Sequence, residues 1–298
     1  MKYTHLNEET KSIVELDLDT RIEYLYQPIW INYPKTIDVI KILNSLLKRP
    51  KQPRMQNLLL IGESNIGKTS LINYFHSIHP NHTSEDEDGM SKVNKTLVIA
   101  QSPATADEKG LYVSILDTFW TPYRVTDSTV KLRYQVIHLM RLCNVKMLIL
   151  DEIHNLLSGT ASKQRTVMNA IKNLGNELLI PIIGVGTKDA ALILHSDPQH
   201  ASRFDIVNLP KWDLDKNFRS LLKSFEMRLP LKEASNLASK EKATLLYTIS
   251  EGNLGDLHKL LIECCITTLE TKSESISTDI IKQHKWVKKT HGLRRRNT

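Results

Sequence analysis

The stretch LLLIGESNIGKTSLINYF, Leu58 to Phe75, restricts what this chain can fold into more than any other. A strand-length apolar run leads into Gly62, Gly67, Lys68 and Thr69, which satisfy G-x-x-x-x-G-K-S/T, and a helix-period pattern resumes behind them. Strand, glycine loop and helix in that order open a βαβ unit, and such units build parallel sheets covered by helices. The alternation continues downstream. TLVIAQ from Thr96, MLILD from Met147, IPIIGVGT from Ile180 and FDIVNLP from Phe204 are strand-length apolar runs separated by helical patterns. The expected fold is α/β, with a parallel five-stranded sheet flanked by helices.

The flanks read differently. Residues 1–50 form an expected N-terminal helical arm that ends in the helix-period run IDVIKILNSLLKR, and a Pro-bearing linker, RPKQPRMQ, follows. Residues 51–210 hold the α/β domain, within which the acidic, breaker-rich stretch between Ser77 and Ser91 reads as an exposed insertion. After Pro210 the strand signals stop, and helix-period runs predict a small all-helical lid over 211–272. A basic tail, 273–298, follows. The net charge of +7 resides in Lys282 to Thr298, which carries seven Lys or Arg and no acid, so the rest of the chain is formally neutral. Such a tail suits phosphate-backbone contacts or an acidic partner, and equally a solvated terminus. No apolar run reaches the roughly 18 residues of a bilayer span, and the first residues lack a signal-peptide layout, so a cytoplasmic protein is expected. The three cysteines, Cys143 and the adjacent Cys264 and Cys265, suggest neither a disulfide framework nor a metal site and read as small buried hydrophobes.

Chemistry is expected at the glycine loop. Glycines let the backbone curl so that its N–H groups face phosphates, Lys68 neutralises the β- and γ-phosphates, and the Thr69 hydroxyl holds Mg²⁺ near a helix N-terminus. Gly62, Glu63, Ser64, Asn65, Ile66 and Gly67, with Lys68, Thr69 and Ser70, are the expected ATP cradle. MLILDE ends a buried-strand run in Asp151 and Glu152, the Walker B pattern. Asp151 would bind Mg²⁺ through water, and Glu152 would act as the general base on the water that attacks the γ-phosphate. No N-K-x-D guanine signature is present, which argues against a GTPase. Nor is an acceptor-site constellation visible that would make the chain a small-molecule kinase.

Later residues narrow the class. Thr187 ends IPIIGVGT, where AAA+ ATPases place a polar sensor beside the γ-phosphate; a Thr capping the next helix is the equal alternative. Arg203, in HASRFD, stands where AAA+ proteins reach an arginine into a neighbouring subunit's ATP; a surface salt bridge is the alternative. Tyr33, before Pro34, is a candidate wall for the adenine or a packed core ring.

RMQNLLLIGESNIGKTSLI, LYVSILDTFWTPYR, LILDEIHNLLSG and the GVGTKDA-to-SRFD region together resemble the TniB/TnsC group of AAA+ ATPases, over most of the chain. The resemblance implies a regulator of DNA transposition in heteromeric and CRISPR-associated, Tn7-like transposons. It implies subunits that polymerise with ATP as a filament or ring on double-stranded DNA. They would bridge a TniQ-like target-selection protein to a DDE transposase (TnsB/TniA-like), with hydrolysis driving disassembly. DNA contacts would come from Gln101 to Lys131, where Lys109, Thr121, Arg124 and Lys131 are the polar or basic candidates; each could equally be a solvated charge. Helicase loaders of the IstB and DnaA type share the implied fold but match these pieces less well. An ATP-binding interaction scaffold with incidental turnover is a further alternative, because GNLGDLHKL has Gly255 where many AAA+ lids carry the sensor 2 arginine. Lys259, one turn later, is a candidate substitute.

Overall fold

The computed structural model describes residues 2–85, 91–195 and 202–284. In chain order the elements are α1 (Glu8–Ile13), α2 (Leu18–Leu25), α3 (Pro34–Lys48), β1 (Asn57–Gly62), α4 (Lys68–Ser77), β2 (His82–Glu85), β3 (Ser91–Asn94) and β4 (Leu97–Gln101). Then come α5 (Glu108–Asp117), α6 (Thr129–Leu142), β5 (Met147–Asp151), a 3-10 turn (Ile153–Leu157), α7 (Ala161–Leu178), β6 (Ile182–Gly186), α8 (Ala190–His195) and β7 (Phe204–Leu209). The chain closes with α9 (Lys216–Glu226), α10 (Lys240–Ser250), α11 (Leu254–Glu270) and α12 (Thr278–Gln283). Helices start where a short polar side chain can accept an unpaired first-turn N–H: Asp107 before α5, Ser128 before α6, Thr160 before α7 and Asp215 before α9 all do so.

These elements form two compact units, one of Lys35–Glu63 with Lys68–Leu209, the other of Met1–Pro34, Ser64–Gly67 and Pro210–Thr298. The first holds the expected five-stranded sheet, ordered β4-β5-β6-β1-β7 with every pairing parallel. All five residues of β5 and of β6 are buried, which is why they read as unbroken apolar runs: a parallel strand covered on both faces has no solvent side to mark. At the edge, β7 is buried only at its two ends, Phe204 and Leu209, and leaves Ile206 exposed. Leu111, Ile115 and Leu116 of α5, Leu132 and Val136 of α6 and Ile171 and Leu174 of α7 join the strand side chains in one core. The expected insertion after Ser77 is more structured than a plain loop. β2 and β3 pair antiparallel, His82 opposite Asn94 through Glu85 opposite Ser91, and residues 86–90 between them lie outside the described residues.

The second unit is helical but larger than the expected lid. Leu25 of α2 shares a core with Phe218, Leu222, Leu246, Leu260, Leu261 and Ile281, so the N-terminal arm divides: α1 and α2 belong here, and nearly all of α3 belongs to the α/β unit. Burying side chains of this size contributes about 1.5–3 kcal/mol each. Cys264 and Cys265 are buried in this core as expected, and burial pushes the Cys264 thiol up to about 12; Cys143, by contrast, is only half-buried. The expected tail begins later than residue 273, since Thr278–Gln283 is α12; residues 285–298 lie outside the described residues.

A buried cation joins the first part of this unit to the last. Arg21 donates from Nε and Nη2 to the carbonyl of Pro230 and from Nη1 and Nη2 to both carboxylate oxygens of Glu274, at 3.0 and 2.6 Å. Arg21→Leu would take the guanidinium from that carbonyl and leave the carboxylate with the Lys232 N–H, 3.0 Å from Oε2, in place of its charged partner. The expected cost is about 2 kcal/mol, below the 3–5 of a fully buried pair because Glu274 is partly solvated. Urea denaturation should show a lower midpoint at an unchanged slope; an unmoved midpoint would contradict the assignment.

Candidate nucleotide-binding site

β5, β6 and β1 are neighbours running the same way, so their C-terminal ends open at one edge of the sheet, the usual ligand position in parallel α/β sheets. Gly62 ends β1, Asp151 ends β5 and Gly186 ends β6. Thr69, in the first turn of α4, donates its hydroxyl to Oδ2 of Asp151 at 2.9 Å, so the two expected Mg²⁺ residues are already side by side. Lys68 is buried, with Nζ donating to the carbonyls of Gly62 (3.0 Å) and Glu63 (2.7 Å). Burial pulls its pKa below the ordinary lysine value, opposed by the negative charges of Glu152, Asp151 and Glu63. Glu63 itself lies 3.7 Å from Lys188.

Glu152 takes a left-handed backbone, φ 54, and its Oε2 lies 3.2 Å from Nε2 of His154. The Thr187 hydroxyl is buried and has no hydrogen-bond partner among the described residues, while the Thr187 N–H donates to Nδ1 of His154 at 3.4 Å. An orphaned buried hydroxyl, a threonine–aspartate pair and a lysine held only by backbone carbonyls suit a phosphate with its divalent ion. Lys68 can exchange its carbonyl acceptors for phosphate oxygens, and Thr69 and Asp151 offer the oxygen ligands that Mg²⁺ prefers.

The loop tip, Ser64–Gly67, belongs to the helical unit. Asn253 donates from Nδ2 to the Ser64 carbonyl (3.0 Å), the Gly255 N–H donates to the Asn65 carbonyl (2.9 Å), and Asn65 donates from Nδ2 to Oδ1 of Asp256 (3.0 Å). On the main chain these bonds occupy only carbonyls, so they do not use up the N–H donors that a phosphate would need. They also explain Gly255. A Cβ there would lie 2.0 Å from Oδ1 of Asn65, so a side chain at this position would have to displace the Asn65 amide and the bond it donates to Asp256. Lys259 is exposed on α11. Tyr33 packs at a tilt against Trp212, ring centres 4.7 Å apart, Trp212 in turn meets Phe218 at 6.3 Å, and burial raises the Tyr33 hydroxyl to about 12. Packing therefore accounts for Tyr33.

Arg203 donates from Nη1 to Oδ1 of Asn176 on α7 at 2.7 Å, an intrachain contact that it would have to exchange to reach a neighbouring subunit. Of the candidate DNA residues, three gather around the loop between α5 and α6. Lys109 donates to the Val125 carbonyl, Lys131 pairs with Asp127 at 2.7 Å, and the Arg124 N–H is capped by the same Asp127. The Thr121 hydroxyl donates to the Phe119 carbonyl, and Trp120 beside it is 91% exposed. Sequence reasoning did not single out Asn253, Asp256 or His154. Asn253 carries a visible signal only as the helix cap of α11, which it also is.

Residues 21–214, more than half of the chain, match the family described as Bacterial TniB protein. No curated protein matches the chain. Among solved structures it is similar to the ORC2 protein of Aeropyrum pernix in its ADPNP–ADP complexes, at 16% identity over 88% of this chain and 70% of that one, TM-score 0.61. It is similar also to Cdc6p of Pyrobaculum aerophilum, at 15% identity over 88% and 69%, TM-score 0.61. The Aeropyrum pernix ORC1 protein in complex with DNA is a further neighbour, at 13% identity over 88% and 68%, TM-score 0.54. At such identities the likeness by itself shows only a shared fold; with the family match it gives the AAA+ P-loop fold, with its parallel five-stranded sheet and helical lid, and nothing about ligands. Among the described residues no helix is long and apolar enough to cross a membrane.

Proposed function

The chain belongs to the bacterial TniB family of AAA+ ATPases, and from that premise we propose that it is an ATP-gated regulator of DNA transposition. ATP with Mg²⁺ is held by Lys68, Thr69 and Asp151 with the loop residues 62–67, Glu152 serves as general base, and Thr187 senses the terminal phosphate. In the ATP-bound form, subunits assemble on double-stranded DNA and bridge a TniQ-like protein to a DDE transposase; hydrolysis dismantles the assembly. Arg203 completes the site of the neighbouring subunit. Lys109, Thr121, Arg124 and Lys131 meet the DNA backbone, where each phosphate contact would add to the salt dependence of binding.

The observation that carries this reading is the 2.9 Å approach of Thr69 to Asp151 beside buried Lys68, in a chain of this family. It is tested by sedimentation and negative-stain imaging with duplex DNA under three conditions: no nucleotide, ADP, and a non-hydrolysable ATP analogue. Filaments or rings on DNA with the analogue alone are expected. A monomer under all three conditions would remove the assembly half of the proposal and leave an ATP-binding domain of other output.

A further inference from the structure

His154 stands two residues beyond Glu152, and its two ring nitrogens face different partners. Nδ1 accepts from the Thr187 N–H at 3.4 Å, and Nε2 lies 3.2 Å from Oε2 of Glu152. A ring nitrogen that accepts carries no proton, so the neutral imidazole holds its hydrogen on Nε2, directed at the carboxylate. Two backbone features bring the three groups together. Glu152 adopts φ 54, a region that non-glycine residues seldom occupy and that bends the chain sharply out of β5. β6 ends in Gly186, where a Cβ would lie 3.2 Å from the His154 backbone nitrogen and 3.2 Å from Cγ2 of Ile153, so the absent side chain lets the turn lie close against the strand end.

We infer that His154 is a positioning residue for hydrolysis: one ring fixes the Glu152 carboxylate and sets it in register with Thr187 on the neighbouring strand. The inference rests on Glu152 being the base, as proposed above. A general base must present one oxygen to water in a fixed direction while keeping its negative charge. A neutral N–H on Oε2 fixes the side chain, leaves Oε1 to take the proton, and takes less from the carboxylate's basicity than the full charge of a lysine or arginine partner would. Because the same ring accepts from the Thr187 main chain, a shift of the β6 end on phosphate binding would move the base with it.

The test uses the full chain with duplex DNA, reading steady-state ATP turnover and, separately, binding of a fluorescent ATP analogue. His154→Ala should lower kcat by about tenfold, part of the 10²–10⁴ that a general base supplies, with nucleotide affinity within about twofold of wild type. His154→Gln, whose amide N–H reaches the Nε2 position, should recover most of the loss. His154→Asn, which can reproduce only the Nδ1 acceptor, should not. Turnover of His154→Ala at or above the wild-type rate, loss of nucleotide binding together with turnover, or equal failure of the Gln and Asn variants would each overturn the inference. A wild-type chain that does not hydrolyse ATP would instead defeat the proposed base. The tautomer then still decides the geometry: ¹⁵N NMR of His154 should show a protonated Nε2 whose shift responds to Glu152→Gln, and a protonated Nδ1 would overturn it without reference to turnover.

Discussion

Glu152→Gln is expected to give a chain that binds ATP normally and hydrolyses it about 10²–10⁴-fold more slowly, a rise of about 3–5 kcal/mol in the barrier. The amide keeps the size of the side chain and an oxygen that can still accept from Nε2 of His154, so the local packing has no reason to change. What disappears is the proton acceptor. Lys68, Thr69 and Asp151, the residues proposed to hold phosphate and metal, are untouched, so affinity for a fluorescent ATP analogue should stay within about twofold. If hydrolysis dismantles the assembly on DNA, this variant should form it with ATP and fail to release it, a state visible as slow sedimentation recovery after dilution. A variant that turns over at the wild-type rate would show that Glu152 is not the base. Release at the wild-type rate despite lost turnover would separate disassembly from hydrolysis.

The largest structural effect is expected at Gly252. Its φ is +71, and a Cβ there would lie 2.2 Å from the Trp212 carbonyl oxygen, a backbone atom that cannot rotate aside. Gly252→Ala therefore meets two independent penalties. The left-handed backbone costs an L side chain about 1–2 kcal/mol. The overlap must also push Trp212 away, breaking its N–H bond to the Gly252 carbonyl (2.9 Å) and disturbing the ring series Tyr33, Trp212, Phe218 and Tyr247. A total of about 3 kcal/mol or more is expected, enough to lower the unfolding midpoint of the helical unit by at least about 10 °C. Differential scanning calorimetry reads this directly, and a midpoint within a degree or two of wild type would mean that the segment before α11 relaxes in a way its contacts do not suggest.

How far the fold could be read from sequence depended on burial. β5 and β6 are buried at every residue, so MLILD and IPIIGVGT stand out as apolar runs, whereas β2 is HTSE with all four residues exposed and leaves no hydrophobic pattern to find. The helix-period runs identified α3 and α9–α11, but periodicity reports that a face is apolar and not what covers it. Leu25 and Leu43 look alike in the sequence, yet the first lies in the helical unit's core and the second in the α/β unit. In the candidate site, Lys68, Thr69 and Asp151 could be picked out by motif spacing, and Thr69 and Asp151 do come together at 2.9 Å. Asn253 and Asp256 do not, since polar residues at a helix start already have a local reason to be there. His154 lay within the DEIHNLL stretch, but its role needs two distances that no spacing encodes.

Apart from Ser64–Gly67, the helical unit is built from the first thirty-four residues and from Pro210 onward, and that division has a consequence for synthesis on the ribosome. Leu25 emerges long before Ile281, the last of its buried companions. At roughly 5–20 residues per second, the interval is on the order of 10–50 s. The α/β unit, nearly continuous between residues 35 and 209, can close within that time. Meanwhile α2 must wait with Leu25 uncovered and the Arg21 guanidinium hydrated, because neither the Pro230 carbonyl nor Glu274 yet exists. The nascent chain thus carries an unsatisfied apolar segment ahead of an already folded body, and an early stop after the sheet is complete would release a product that can bind chaperones or its own copies through α2.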